Sequence, residues 1–174
     1  RGLGDVYKRQ HGKHVICEKP LSAHAKDVAE LQALAKERGL IYLEAIMFMH
    51  LPQRKLLEEA LKKIGDISVA KIDFCQRSSK YDAYLAGSLP NIFNPALETG
   101  ALMDLGVYCV YPALYLFGKP QNTLAVSHLL ASGADGSDIV AMQYPDKLVN
   151  LVFSKVGQAG ANTDFQGTNG TVSV

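Results

Sequence analysis

The strongest constraint on the fold is a strand, helix and strand pattern near the start of the chain. The apolar run 14–17 is followed at once by Glu18-Lys19-Pro20, which is typical of a buried parallel strand that ends in a polar turn. Ser22 is placed to cap a helix that Gly39 would end, and the apolar run 40–47 is a second strand. The sequence therefore predicts a βαβ unit over 14–47. The helix would bury one stripe, formed by Val28, Leu31, Leu34 and Ala35.

The rest of the chain is predicted to contain one more helix and then mainly strands. Pro52 is a favourable first residue for a helix that would end at Gly65 and bury Leu56, Leu57, Ala60, Leu61 and Ile64. Strands are predicted over 67–77, with a bulge near Ala70, and over 124–132, 138–144, 148–155 and 171–174. Turns are predicted at Pro145-Asp146-Lys147 and at Asn169-Gly170.

The expected fold class is α/β: the C-terminal remnant of a doubly wound domain, followed by an α+β domain with a mostly antiparallel open sheet. The predicted domains are 11–47 and 48–174, both incomplete. Residues 1–10 lack an apolar period and are interpreted as a foreign or unstructured leader. Gly2 and Gly4 resemble the start of a dinucleotide-binding turn, but no strand precedes them and Tyr7 stands where the third glycine belongs.

The segment 101–117 is predicted to be a helix with a chemically useful face. Asp104, Tyr108 and Tyr111 are spaced so that a carboxylate and two phenols share one side. Such a face can bind a polar substrate and move a proton.

Two residues of this helix suggest further features. Gly106 would let a flat ring or a sugar approach the backbone closely. Pro112 is expected to bend the helix, leave the Tyr108 carbonyl without its usual partner and place the polar face at an irregular helix end. The preceding loop, 78–99, is long for a loop without secondary structure, and we expect it to cover the site.

The composition of the chain argues against several classes of function. The net charge of +1 and the scattered Lys and Arg residues argue against nucleic acid, and no apolar run approaches the roughly 20 residues of a membrane span. The three cysteines fit neither a disulfide scaffold nor a zinc site and are interpreted as buried thiols. His11, His14, His24 and His128 share no metal-ligand spacing, so we expect no metal. We expect a cytoplasmic protein that acts on small molecules.

Three motifs in this order resemble the Gfo/Idh/MocA family of oxidoreductases. They are Cys17-Glu18-Lys19-Pro20, the run Gly-Ala-Leu-Met-Asp-Leu-Gly-Val-Tyr that ends at Tyr108, and the turn 166–170. The resemblance runs from Gly12 to Val174. It implies a Rossmann domain that binds NAD or NADP, followed by a domain whose open sheet carries the substrate and often a dimer contact. This chain would hold the end of the first domain and most of the second.

The resemblance also implies residue roles. Lys19 would be the active-site lysine near the nicotinamide ribose and a substrate hydroxyl, Asp104 the acid that orients the substrate, and Glu18 and Pro20 its neighbours at the cofactor. Many members have His where Tyr108 stands, and Tyr here is similar to the glucose-fructose oxidoreductase and dihydrodiol dehydrogenase branch, in which the phenol is the acid/base group. Thr99 departs from the family's usual Gly-Gly pair.

These roles agree with ordinary chemistry. Hydride transfer between nicotinamide and a carbinol requires the hydroxyl proton to move as well, and a lysine ammonium nearby favours the phenolate of a tyrosine. His50, at the exit of the second strand, is a further candidate for substrate contact.

The sequence thus predicts an NAD(P)-dependent dehydrogenase or reductase acting on a sugar, cyclitol or related polyol, and a homo-oligomer through the C-terminal sheet. Two alternatives stay open: a non-catalytic nucleotide-sensing or scaffold relative, and an inert fragment without the dinucleotide-binding turn. The choice between NAD and NADP also stays open.

Overall fold

The computed structural model describes residues 12–174, which fall into two compact units that divide between Met47 and Phe48. The predictions made for the leader 1–10, with Gly2 and Gly4, concern residues outside this range. Each unit is described by itself.

The first unit is the predicted βαβ unit. Strand β1 (Val15–Glu18) pairs in parallel with β2 (Tyr42–Ala45), and helix α1 (Ala25–Glu37) connects them. Val15, Leu31 and Ala35 are buried, as the apolar stripe requires. The predicted cap is wrong in detail: His24 occupies the N-cap position, and the Ser22 hydroxyl accepts the backbone N–H of His24 at 3.1 Å.

The strand pair has a second apolar face. Ile16 is 71% exposed, and Ile41 and Leu43 are exposed beside it. Strands of parallel sheets are normally covered on both faces. The pair therefore has the composition of strands from the interior of a larger parallel sheet.

The remaining helical segments lie in the second unit, except that Met47, the first residue of the first segment, belongs to the first unit. They are α2 (Met47–His50), α3 (Gln53–Leu61), α4 (Tyr81–Leu85), 3-10 turns at Asn91–Phe93 and Pro95–Leu97, a π-helical turn at Leu102–Gly106 and α5 (Val107–Phe117). Helix α3 begins after Pro52, close to the predicted start, but it ends at Leu61 and not at Gly65. Leu56 is exposed, contrary to the prediction, while Leu61 is buried.

Six strands form the sheet of this unit. They are β3 (Ile67–Cys75), β4 (Asn122–Leu129), β5 (Asp135–Gln143), β6 (Leu148–Ser154), β7 (Asp164–Gly167) and β8 (Gly170–Ser173), in the spatial order β4-β5-β6-β3-β7-β8. All neighbours are antiparallel except β3 and β6, which run in parallel. The mostly antiparallel sheet is confirmed. Strand β7 was missed, and the bulge lies between Ile67 and Val69, just before Ala70.

The core of this unit lies between the segment 101–117 and one face of the sheet. Ala101, Leu105 and Cys109 are buried on the helix side, against Leu151 and Phe153 on β6. The helix contacts β3 and β6, the central pair of strands. This packing fixes the position of the helix that carries Asp104 and Tyr108.

Gly106 allows the helix to pack closely against the sheet. It is buried in an ordinary helical conformation (φ −58°), and a Cβ there would lie 2.8 Å from the Phe153 ring and 3.0 Å from the Leu102 side chain. The hypothesis that Gly106 admits a ligand is therefore wrong, because the aromatic side chain of β6 already fills the space.

The helix prediction for 101–117 is otherwise confirmed, but the irregularity lies at a different place. Helix α5 continues through the buried Pro112, whereas the irregular turn is the π-helical one that contains Asp104. Asp104 and Tyr108 are therefore at the irregular N-terminal end, not at a bend near the proline.

Pro95–Phe117 also contradicts one expectation. The segment is 23 residues long and contains an 18-residue window with a mean hydropathy of 1.4, so it is long and apolar enough for a membrane span. Buried residues of this segment pack on the sheet, and it contains Asp104. A helix in a protein core passes the same test of length and composition.

We predict that Gly106→Ala destabilises the protein by on the order of 1 kcal/mol, because overpacking against Phe153 costs about 1–3 kcal/mol and the gain in helix propensity is at most about 1 kcal/mol. Urea unfolding would measure the change. Gly160→Ala is the control: a Cβ at Gly160 meets no atom within 4 Å. Equal stability of the two variants would show that the helix and sheet are not in close contact.

Candidate active site

Asp104 is held by an ion pair at the carboxyl end of the central strand β6. Its carboxylate forms an ion pair with the ammonium of Lys155, the residue directly after β6. The Lys155 side chain is 7% exposed, whereas that of Asp104 is 30% exposed. The pair thus reaches from the protein interior to a surface that a ligand can contact.

Tyr108 lies one turn further along the helix and is half-buried. Its ring packs edge-on against Phe74, with the ring centroids 5.3 Å apart. Phe74 is near the carboxyl end of β3, and Lys155 follows the carboxyl end of the parallel strand β6. Phe74 and Lys155 therefore lie at the same end of the sheet, where they hold Tyr108 and Asp104.

Tyr111 lies in different surroundings, so the predicted three-residue face does not form as a unit. It lines an apolar cavity of about 520 Å³ on the second unit. The other lining residues are Met49, Leu102, Met103, Val107, Val110, Leu114 and Tyr115.

Lys19 belongs to the first unit. It follows β1, is half-buried and forms a cis peptide bond with Pro20, while Glu18 is exposed at the end of the strand. The turn is tied to β2 because the backbone N–H of Leu21 donates to the Glu44 carboxylate at 3.1 Å.

His50 is the last residue of α2, in the second unit, and is exposed. The convergence of Lys19 and His50 with Asp104 and Tyr108 remains a prediction, since Lys19 and the helix residues belong to separate compact units.

The start of the site helix is fixed by a carboxylate from β5. Asp135 accepts the backbone N–H of Leu102 at 2.6 Å. Gly100 is required beside it, because a Cβ there would lie 1.7 Å from the Asp135 carboxylate. The Thr99 hydroxyl donates to the carbonyls of Asn91 and Asn94, at 2.6 and 3.0 Å. These bonds show how the turn forms with Thr in the place of a glycine.

A second carboxyl, that of Asp138, is buried near this helix start, and one of its oxygens has no hydrogen-bond partner. Burial raises the pKa of Asp138 to about 6; Ser127 opposes the rise through a hydrogen bond, and the neighbouring Asp135 adds to it. Asp138 is therefore the group near the site whose charge changes in the mildly acidic range.

The loop 78–99 is more ordered than predicted. It contains α4 and two 3-10 turns, and Tyr81, Tyr84 and Phe93 form an aromatic cluster within it. The Tyr84 hydroxyl accepts the backbone N–H of Ser132 at 3.0 Å, which ties the loop to the turn between β4 and β5. Whether it covers the site stays a prediction.

The prediction of buried thiols is confirmed for Cys109 only, because Cys17 and Cys75 are half-buried. Within the described residues, Cys17, Cys75 and Cys109 form no disulfide bond. Burial raises the pKa of Cys109 to about 12 and that of Cys75 to about 11, so both remain protonated at neutral pH. Between residues 12 and 174, no group of three or more His, Cys, Asp or Glu side chains is placed to hold a metal ion.

Lys155 is the site residue that the sequence analysis missed. It directly follows the apolar strand β6, just as Lys19 follows β1. Polar residues after buried strands are the usual place for ligand contacts in such sheets. The sequence does show a lysine directly after an apolar strand. It does not show that β6 pairs in parallel with β3, and only this pairing indicates that the lysine lies at a ligand-binding end of the sheet.

Comparison with known proteins identifies the class. Residues 9–46 match an oxidoreductase family with an NAD-binding Rossmann fold, and residues 54–173 match the GFO/IDH/MocA C-terminal domain. The two matches correspond to the nucleotide-binding and C-terminal parts of one oxidoreductase family. The chain belongs to the Gfo/Idh/MocA family, as its motifs indicated.

Three proteins illustrate the relationship. The chain is 41% identical over 164 residues to scyllo-inositol 2-dehydrogenase (NADP(+)) IolU of Bacillus subtilis, covering 94% of this chain and 50% of that protein. It is 31% identical over 168 residues to trans-1,2-dihydrobenzene-1,2-diol dehydrogenase of Mus musculus, covering 94% and 48%.

Among solved structures, KijD10, a 3-ketoreductase from Actinomadura kijaniata in complex with NADP and TDP-benzene, has a TM-score of 0.82 at 26% identity, covering 96% of this chain and 51% of that one. The chain spans about half the length of the curated relatives it matches.

We predict that Asp138→Asn stabilises the protein at neutral pH. The folded-state pKa of about 6 is higher than the ordinary value of 3.8, so the wild type loses stability as the pH rises through this interval. The gain should approach about 2–3 kcal/mol at pH 7.5 and shrink towards pH 4, because each pKa unit corresponds to about 1.4 kcal/mol.

Urea unfolding between pH 4 and pH 7.5 would measure this difference. Asp66→Asn, at an exposed turn, is the control and should change stability by less than about 0.5 kcal/mol. A gain for Asp138→Asn that is the same at both ends of the pH range would contradict the assignment.

Proposed function

We propose that the whole protein is an NAD(P)-dependent oxidoreductase that interconverts a hydroxyl and a carbonyl group on a cyclitol, sugar or related polyol. The observation that carries the proposal is the 41% identity to scyllo-inositol 2-dehydrogenase across 94% of this chain. The names of this relative and of the dihydrodiol dehydrogenase both describe a six-membered carbon ring with neighbouring hydroxyl groups. A ring of this kind is the substrate class we favour.

The first unit fits the nicotinamide end of such a cofactor. A half-buried lysine and a tethered turn follow the carboxyl end of a parallel strand, which is where open α/β sheets bind their ligands. Glu18, Lys19 and Pro20 would hold the cofactor there. When bound, nicotinamide supplies the hydride acceptor or donor.

The second unit supplies the groups that handle the substrate. The Asp104 carboxylate can accept hydrogen bonds from two neighbouring hydroxyls, because it has about four acceptor positions. The Tyr108 phenol can take or return the proton of the reacting hydroxyl. Lys19 would favour the phenolate through its positive charge, and His50 is a further candidate for substrate contact. These roles make the ring bind in one orientation before any bond breaks.

We predict that Lys19→Ala and Tyr108→Phe each reduce turnover of scyllo-inositol by the complete gene product by on the order of 10² or more. Phenylalanine keeps the ring contact with Phe74 and removes only the hydroxyl, so folding should be unaffected. Tyr111→Phe is the matched control on the same helix, because Tyr111 lines the apolar cavity. It should keep turnover within about twofold.

Steady-state rates with NAD and NADP, followed by absorbance of the reduced cofactor, would measure these effects. Near-normal turnover of both variants would remove the roles assigned to Lys19 and Tyr108. Binding of cofactor by the wild type without turnover on inositols, sugars or dihydrodiols would favour the non-catalytic alternative.

We further propose that two copies of the protein associate through the open face of the second sheet. The face away from the helix carries four exposed apolar side chains near its β4 edge. Strand register places them on the same face, with Val126 on β4 directly opposite Ile139 on β5. The other two are Leu124 on β4 and Leu148 on β6, and all four are more than half exposed. An apolar face of this kind usually marks an association site, and a second copy presents the same chemistry.

We predict that the double change Val126→Asp and Ile139→Asp weakens this association by on the order of tenfold or more, because it places charges in the centre of an apolar contact. Light scattering across a concentration series would measure the mass. Leu56→Asp, at a side chain that is 70% exposed on α3, is the control and should leave the mass unchanged. A monomeric wild type, or a variant that associates normally, would contradict this surface.

A further inference from the structure

Lys155 is an unusual residue to find in the interior of this unit. Only 7% of its side chain is exposed, yet it carries an ammonium group. A buried cation is costly unless a carboxylate compensates it. The compensating carboxylate is Asp104, the residue proposed to contact the substrate.

The backbone of Lys155 is fixed on two sides. Its N–H donates to the Gly136 carbonyl on β5 at 2.9 Å, and its carbonyl accepts the N–H of Ser78, just beyond β3, at 2.7 Å. The preceding residue, Ser154, accepts the backbone N–H groups of Val156 and Gly157 through its hydroxyl. The lysine side chain therefore starts from a rigid point under the site helix.

The carboxylate that it engages is in a less regular place. Asp104 lies within the π-helical turn Leu102–Gly106, where the backbone departs from α-helical geometry. A side chain on such a turn has no regular helical face to set its direction. The ammonium bonds one carboxylate oxygen, Oδ2, and so restricts the orientation of the whole group.

We infer that Lys155 is a positioning residue for the proposed reaction: it orients the Asp104 carboxylate towards the substrate hydroxyls. This inference rests on the proposed function. The lysine acts through Asp104 and need not touch the substrate, so its effect on catalysis should vanish when Asp104 can no longer act.

A mutant cycle in the complete gene product tests the inference. The variants are Lys155→Met, Asp104→Asn and their combination, compared with the wild type in kcat and kcat/KM for scyllo-inositol with NADP. We expect Lys155→Met to lower kcat/KM by about tenfold or more in the wild-type background and by less than about twofold in the Asp104→Asn background. A lysine with a purely structural role would lower activity by the same factor in both backgrounds.

Lys71→Met is the matched control, because Lys71 is also an ion-paired lysine of this sheet, with its ammonium 3.9 Å from the Asp73 carboxylate. It should leave kcat/KM unchanged. Circular dichroism and thermal unfolding establish that each variant folds; if Lys155→Met does not, Lys155→Gln replaces it in the same cycle.

The outcomes are distinct. Equal losses in both backgrounds, or no loss for Lys155→Met, would overturn the positioning role while wild-type turnover still supports the proposed function. Absence of turnover in the wild type, with NAD as well as NADP, would overturn the proposed function, and the inference about Lys155 would fall with it.

Discussion

The second unit depends on the close packing of one helix against two parallel strands. Gly106 brings the helix so near to β6 that the ring of Phe153 fills the space a side chain would need. This contact fixes the height and rotation of the segment 101–117 over the sheet. Because Asp104 and Tyr108 lie on that segment, the apolar contact also sets the position of the polar groups.

The parallel pairing of β3 and β6 determines which side chains of the sheet meet the polar residues of the helix. The rest of the sheet is antiparallel, but this pairing brings the carboxyl ends of β3 and β6 to the same end of the sheet. Phe74 and Lys155 contact the side chains of the helix there. An aromatic contact holds Tyr108, and an ion pair holds Asp104. The scaffold thus presents a phenol and a carboxylate in a fixed arrangement.

Local sequence patterns predicted most of the elements, because apolar periodicity and turn residues act over short distances. The βαβ unit, the site helix and the turn at 145–147 all agree with the structure. Features that depend on distant pairing were missed or misjudged: the polar strand β7, the role of Gly106 and the lysine at position 155. Each is determined by a neighbour far away in the sequence, such as Phe153 for the glycine, so no local pattern contains it.

The central claim is that Lys19 and Tyr108 act on one hydroxyl group. A crystal structure of the complete gene product with NADP and an inositol would test it most directly. We expect the Lys19 Nζ and the Tyr108 Oη atoms both to lie within about 2.6–3.2 Å of the same substrate oxygen, the distance for proton transfer. A bound inositol whose reacting hydroxyl contacts neither atom would contradict it.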